Sequence, residues 1–251
     1  MVHIVGAGCG AADLITLRGK RLIEEADVIV YAGSLVNPEL LSYAKSGCEL
    51  HDSAKMTLEE TTAVIEAAEG TGKTTVRLHS GDPSLYGAIA EQMREFDRLG
   101  IAYDITPGVS AFSGAAAALR IEYTQPDVSQ SVIITRAAGR TPVPAGESLP
   151  SLASHGATMT LFLSAGLLGR VTEDLVAGGM SPDTPAAIVY KASWPDERIF
   201  RCTVATLAET AKANGITKTA LIVVGRVLGE IDTRSKLYDP AFGTEFREKS
   251  V

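Results

Sequence analysis

Short β-branched runs alternate with longer helical patterns along most of the chain, and only an α/β architecture accommodates that rhythm. Val2–Val5 and Val28–Tyr31 read as strands, closed by Gly6-Ala7-Gly8-Cys9-Gly10 and by Ala32-Gly33-Ser34. Between them Thr16 is placed to cap a helix running to Ala26. A helix over Pro38–Lys45 follows, with its proline in the permitted first turn. Thr57 and Glu60 stand at capping-box spacing ahead of another helix. Thr75–Leu78 is a buried strand broken by Gly81-Asp82-Pro83; Ala88–Leu99 is helical and Ala102–Ile105 is a strand. Pro107-Gly108 then turns into the alanine-rich helix Ser110–Leu119.

The pattern changes after Leu119. Ser131–Thr135 is a strand, and Arg140–Pro150, with three prolines, is loop. A second set follows: strand Thr158–Leu163, helix Leu167–Ala177, strands Ala186–Tyr190 and Arg198–Thr203, helix Thr206–Asn214 and strand Ala220–Gly225. The expected division is an N-terminal α/β domain over 1–119, a C-terminal α/β domain over 120–231, and a mobile polar tail over 232–251. Ligands in such folds usually sit at strand carboxyl ends or between domains.

Composition excludes several classes. Apolar residues make up 45% of the 251, ample for a buried core. The net charge of −7 argues against general nucleic-acid binding, so an anionic ligand must meet a local cluster of cations. Cys9, Cys48 and Cys202 form no CxxC pair and His3, His51, His79 and His155 are scattered. No zinc spacing or disulfide framework emerges, so no metal site is expected and a reducing cytoplasm is the default compartment. The opening apolar run is too short for a signal peptide, and no stretch approaches the ~20 residues of a membrane span.

Two phosphate-binding patterns are weakened on inspection. Gly6-x-Gly8-x-x-Ala11 imitates the dinucleotide fingerprint, but its helix starts late, near Thr16, and the second strand ends in no acid for a ribose. Gly70-Thr71-Gly72-Lys73-Thr74 imitates a P-loop, yet Ala67 stands where a glycine is needed and the segment precedes a strand. More informative is His79-Ser80-Gly81-Asp82-Pro83-Ser84-Leu85-Tyr86-Gly87. A carboxylate fixed between Gly and Pro at a strand end can bind ligand hydroxyls or an amine, and glycine admits a ligand close to the backbone. With Thr106-Pro107-Gly108-Val109-Ser110-Ala111 at the next strand end, the two turns describe a pocket floor. No capping duty is evident for Asp82, so its replacement by asparagine is expected to weaken ligand binding and leave the fold nearly unchanged.

These segments resemble the tetrapyrrole methylase family, the class III S-adenosylmethionine-dependent methyltransferases. Val5-Gly6-Ala7-Gly8-Cys9-Gly10 with Asp13-Leu14-Ile15-Thr16-Leu17-Arg18-Gly19 is similar to the family's opening signature. Ser80-Gly81-Asp82-Pro83 and Pro107-Gly108-Val109-Ser110-Ala111 are similar to its two cofactor loops. The family usually has proline at position 9 and aspartate at position 11, where this chain has Cys9 and Ala11; either that aspartate is dispensable here, or Asp13 or another acid substitutes for it. The resemblance covers about residues 1–230. It implies two α/β domains, each a mixed sheet flanked by helices, S-adenosyl-L-methionine bound in the interdomain cleft, and a homodimer. Carried over by motif, the cofactor contacts are Cys9, Ser80, Gly81, Asp82, Leu85, Ser110 and Ala111, then Leu163, Ala192 and Ala220. Core packing is an equally good reading of Leu163 and Ala220.

Three further stretches, Tyr31–Leu41, Asp52–Glu60 and Gly139–Pro144, resemble the branch that methylates C-11 of precorrin-4 in cobalamin biosynthesis. Another ring position, the cobalt-bearing substrate, diphthamide formation on a protein, and an NAD-dependent oxidoreductase stay open as alternatives. Methyl transfer from a sulfonium to an electron-rich ring carbon needs no metal and no protein nucleophile, so no catalytic residue is named. The precorrin substrate implied by the resemblance carries many carboxylates. Arg77, Arg120, Arg136, Arg140, Lys191 and Arg201 are its candidate cations, with Arg136 and Arg140 foremost because they flank a proline-stiffened loop.

Overall fold

The computed structural model describes residues 1–230 and 234–249. The chain falls into two compact units, one built from Met1–Gly114 with Lys191–Glu197, the other from Ala115–Tyr190 with the described residues from Arg198 on. No helix among the described residues is long and apolar enough to cross a membrane.

In the first unit the chain runs through β1 (Val2–Gly6), α1 (Leu17–Glu25), β2 (Val28–Tyr31), β3 (Glu49–Asp52), α2 (Leu58–Gly70), β4 (Thr75–His79), α3 (Ile89–Leu99) and β5 (Tyr103–Thr106). α4 (Ala111–Leu119) carries the division between the units within its length. The sheet has the order β3-β2-β4-β1-β5 and is parallel throughout, because every strand is returned to its starting edge by a crossover. Mixed pairing is confined to the second sheet. One face buries Val5, Val76, Leu78 and Ile29 against Leu22 and Ile23 of α1; the other buries Val2, Ile4, Val28 and Val30 against Ile65 of α2 and Phe96 of α3. Such two-sided burial is why β2 reads as a continuous apolar run.

Caps set the helix ends. Thr16 Oγ1 accepts the Gly19 N–H at 3.0 Å. Thr57 and Glu60 form both bonds of the capping box. The Pro38–Tyr43 segment is a 3-10 helix capped by Asn37, tighter and shorter than the helix expected there.

The second unit contains β6 (Val132–Arg136), α5 (Leu149–Ala153), β7 (Thr158–Phe162), α6 (Leu168–Ala177), β8 (Pro185–Tyr190), β9 (Arg198–Thr203), α7 (Leu207–Ala213) and β10 (Ala220–Val224). Its sheet, β6-β7-β10-β8-β9, is parallel only between β6 and β7. Met159, Leu161, Ile188 and Ile222 pack there against Leu168, Val171 and Leu175 of α6 and Leu207 of α7. The expected tail lies partly outside the described residues, at 232–233 and 250–251. Its described part holds a 3-10 turn, Lys236–Tyr238, under Arg247, which donates to the Leu237, Asp239 and Phe242 carbonyls.

Arg201 sits within β9 and donates to Leu119 O at 2.8 Å and Leu228 O at 3.1 Å, ending α4 and holding the turn after β10. It is committed to main-chain carbonyls, which explains an arginine in a strand. Arg201→Met should lower unfolding free energy in urea by about 1.5–3 kcal/mol, as hydrogen bonds from charged groups usually contribute.

Candidate functional site

Three parallel neighbours, β4, β1 and β5, end side by side, and their carboxyl ends carry the glycine turns. Ala7 N–H donates to His79 O at 2.7 Å, and Gly8 and Gly81 exchange two backbone bonds at 2.8 and 3.2 Å. A Cβ on Gly6 would lie 2.6 Å from Gly108 Cα, and one on Gly108 would lie 2.1 Å from Gly81 O. These turns therefore meet backbone to backbone, closer than any side chain permits. Gly81 itself has φ +63° and is buried, with both its main-chain groups bonded to Gly8; a Cβ there would make only ordinary contact, 3.6 Å from Ala111 N.

Asp82 joins two of the turns. Its Oδ1 accepts the Ser84 N–H at 2.8 Å and the Ser84 hydroxyl, and its Oδ2 accepts the Gly108 N–H at 2.8 Å. Burial pushes its pKa up, but the Ser84 and Gly108 bonds outweigh that and hold it below the ordinary aspartate value. The expectation that Asp82 lacks a structural duty is overturned: it ties the Ser80–Ser84 loop to the Pro107–Ser110 loop. Sequence gave no sign of the Gly108 partner, 26 residues away. His79, just upstream, is buried, and burial with the nearby Arg77 charge lowers its pKa to about 3, so it is neutral at pH 7.

A segment far along the chain completes this unit. Ser193 Oγ accepts the Ala11 N–H at 3.0 Å and lies 3.4 Å from Cys9 Sγ. Ser193 N–H donates to Glu197 Oε2 at 2.6 Å, and Lys191 and Ser193 have positive φ of 49° and 64°. A Cβ on Gly10 would meet Trp194 Cδ1 at 2.4 Å and Ala192 O at 2.5 Å, and Asn37 Nδ2 donates to Gly10 O at 3.0 Å. The structure thus brings Cys9 together with Ala192, and Gly81 and Asp82 together with Ser110 and Ala111 through Gly108. Ser193, Trp194 and Asn37 were not singled out from sequence, where no periodicity marks them. Ser110 and Ala192 are buried, while Cys9, Ser80, Leu85 and Ala111 are half-buried.

The other candidates belong to the second unit. Leu163, directly after β7, is 67% exposed with φ 52°, which rules out core packing for it. A branched apolar side chain in that conformation carries strain that neighbouring structure must maintain. Ala220, at the start of β10, is half-buried and packs against the buried cluster. Leu163→Ala should leave the midpoint of thermal unfolding unchanged, since the side chain is exposed.

Arg136 donates to the carbonyls of Ala137, Thr141 and Pro142 at 2.7–3.3 Å, so it clips the loop that follows β6, while Arg140 on that loop is exposed. Lys191 is paired with Asp196 at 2.7 Å. Arg77 is mid-strand in β4 and buried.

A family model described as tetrapyrrole (corrin/porphyrin) methylases matches residues 1–208. The chain is 52% identical over 248 residues to the cobalt-precorrin-4 C(11)-methyltransferase of Methanocaldococcus jannaschii, covering 98% of this chain and 96% of that one. It is 48% identical to the precorrin-4 C(11)-methyltransferase of Mycobacterium tuberculosis, covering 96% of both. Among solved structures, the X-ray structure of a cobalamin biosynthetic enzyme, cobalt precorrin-4 methyltransferase, superposes with a TM-score of 0.89 at 47% identity, covering 91% of this chain and 96% of the other. The uroporphyrin-III C-methyltransferase of Thermus thermophilus, solved in complex with S-adenyl homocysteine, gives 0.76 at 26% identity, covering 90% and 98%.

Proposed function

Since this chain belongs to the tetrapyrrole (corrin/porphyrin) methylases, we propose that it transfers the methyl group of S-adenosyl-L-methionine to C-11 of precorrin-4, giving precorrin-5. The observation that carries this reading is the 52% identity over 98% of the chain to an enzyme named for C-11 methylation. That same relative is named for the cobalt-bearing substrate, which makes cobalt-precorrin-4 the second reading. The resemblance also implies a homodimer, which light scattering checks.

The glycine turns fit the methyl donor. Gly6 and Gly108 pack so closely that no side chain intrudes on the strand ends. Cys9, Ser80, Gly81, Asp82, Leu85, Ser110, Ala111 and Ala192 of the first unit, with Leu163 and Ala220 of the second, are the proposed holders. When bound, S-adenosyl-L-methionine supplies an activated methyl group on a sulfonium. The protein's share is alignment, which in well-ordered reactions is worth up to ~7–11 kcal/mol. Asp82 and Ser193 serve it by fixing the loops. Arg140, and Arg136 beyond its loop contacts, are proposed for substrate carboxylates.

The test is direct. Purified protein with S-adenosyl-L-methionine and either precorrin-4 or cobalt-precorrin-4 should release S-adenosylhomocysteine and add one methyl by mass, at C-11 by NMR. Higher kcat/KM on one substrate assigns the route. Methylation at another ring carbon, or none on either, overturns the reading.

A further inference from the structure

On the face of β4 turned toward α2 and α3, Thr75, Arg77 and His79 alternate where a parallel strand normally carries apolar residues. Arg77 is only 7% exposed. Its Nε donates to Gln92 Oε1 at 2.9 Å and one Nη to Val30 O at 3.1 Å, both neutral acceptors. Among the described residues no carboxylate lies within ion-pair distance of it. Burial lowers its pKa only to about 10, so it stays cationic at neutral pH. A buried guanidinium without a counter-charge is costly, and such groups are normally paired.

The same arginine lines a cavity of about 140 Å³ with Ser53, Thr57, Thr61, Gln92 and Glu91. At ~30 Å³ per water-sized group, that space admits a carboxylate or a phosphate. Thr57 caps α2 at the cavity wall, where the positive end of that 13-residue helix is offset by Glu59 and Glu60 in its first turn, Glu60 accepting the Thr57 N–H. Glu91 is exposed and is the one lining residue whose charge opposes an anion.

We propose that this cavity is an anion subsite, taking one carboxylate or small oxyanion with Arg77 as the cation that recognises it. Two sources share that chemistry: a carboxylate arm of the tetrapyrrole substrate, or a free anion such as phosphate. Only the first rests on the proposed function.

The experiment is calorimetric titration of the full chain with inorganic phosphate, with S-adenosylhomocysteine affinity measured alongside. Phosphate should bind the wild type at one site, at least tenfold weaker in Arg77→Gln and at least threefold tighter in Glu91→Gln. Uroporphyrin, an octacarboxylate, separates the sources. If an arm occupies the subsite, saturating phosphate weakens uroporphyrin binding several-fold in the wild type and not in Arg77→Gln; a free-anion site leaves uroporphyrin untouched. Absence of phosphate binding in the wild type overturns the subsite, as does unchanged phosphate affinity in Glu91→Gln, whose exposed position keeps that arm usable if Arg77→Gln fails to fold. Failure of S-adenosylhomocysteine to bind the wild type counts against the methyltransferase reading and not against the subsite.

Discussion

Gly108→Ala is expected to destabilise the protein by ~3 kcal/mol or more and to abolish S-adenosylhomocysteine binding. The added methyl would sit 2.1 Å from Gly81 O and 2.8 Å from Gly6 Cα, both main-chain atoms. No rotamer change relieves a backbone clash, and overpacking of even flexible surroundings costs ~1–3 kcal/mol. The turns at the ends of β1, β4 and β5 would have to separate, which breaks the Gly108 bond to Asp82. Gly81→Ala is the control. That site has positive φ but 3.6 Å of clearance, so its cost should be only the ~1–2 kcal/mol of an L residue held in left-handed backbone. Urea unfolding and calorimetry on both variants check the order; equal losses would show that close packing of the turns is not what matters.

How far the sequence reached depends on whether each determinant is local. β2 and β9 are bounded as their β-branched runs indicate, and the caps at Thr16 and Thr57 form because donor and acceptor are three residues apart. β3 was illegible: Glu-Leu-His-Asp is polar, and on the sheet edge only one neighbour, β2, identifies it as a strand. α5 hid among three prolines, although Pro150 occupies a first-turn position that a helix tolerates. The fit of Lys191–Glu197 onto Gly10 and Ala11 was beyond reach, because its evidence is steric: a missing Cβ at Gly10 and strained φ at Ser193. Arg77 was counted among the cations for substrate carboxylates, yet it is mid-strand and buried.

Asp82 is where local and long-range determinants meet, and Asp82→Asn should lose both ligand affinity and stability. An amide keeps one acceptor oxygen, so either Ser84 or Gly108 loses its partner, and where the amide faces Gly108 two N–H groups oppose each other. The expected loss is about 1–2 kcal/mol in urea unfolding at neutral pH, with S-adenosylhomocysteine affinity reduced at least tenfold as the two loops drift apart. The pH dependence has a definite sign. The folded-state pKa of Asp82 lies below its unfolded value of ~3.9. Its contribution is therefore fully present above that value and fades as pH falls through the folded-state pKa. The stability gap between wild type and Asp82→Asn should stay constant from pH 8 to 5 and close below about 4. Unchanged stability with weakened ligand binding would mean that the carboxylate serves the ligand alone and that the Gly108 bond contributes nothing. A gap that instead narrows between pH 6 and 8 would assign the titration to another group.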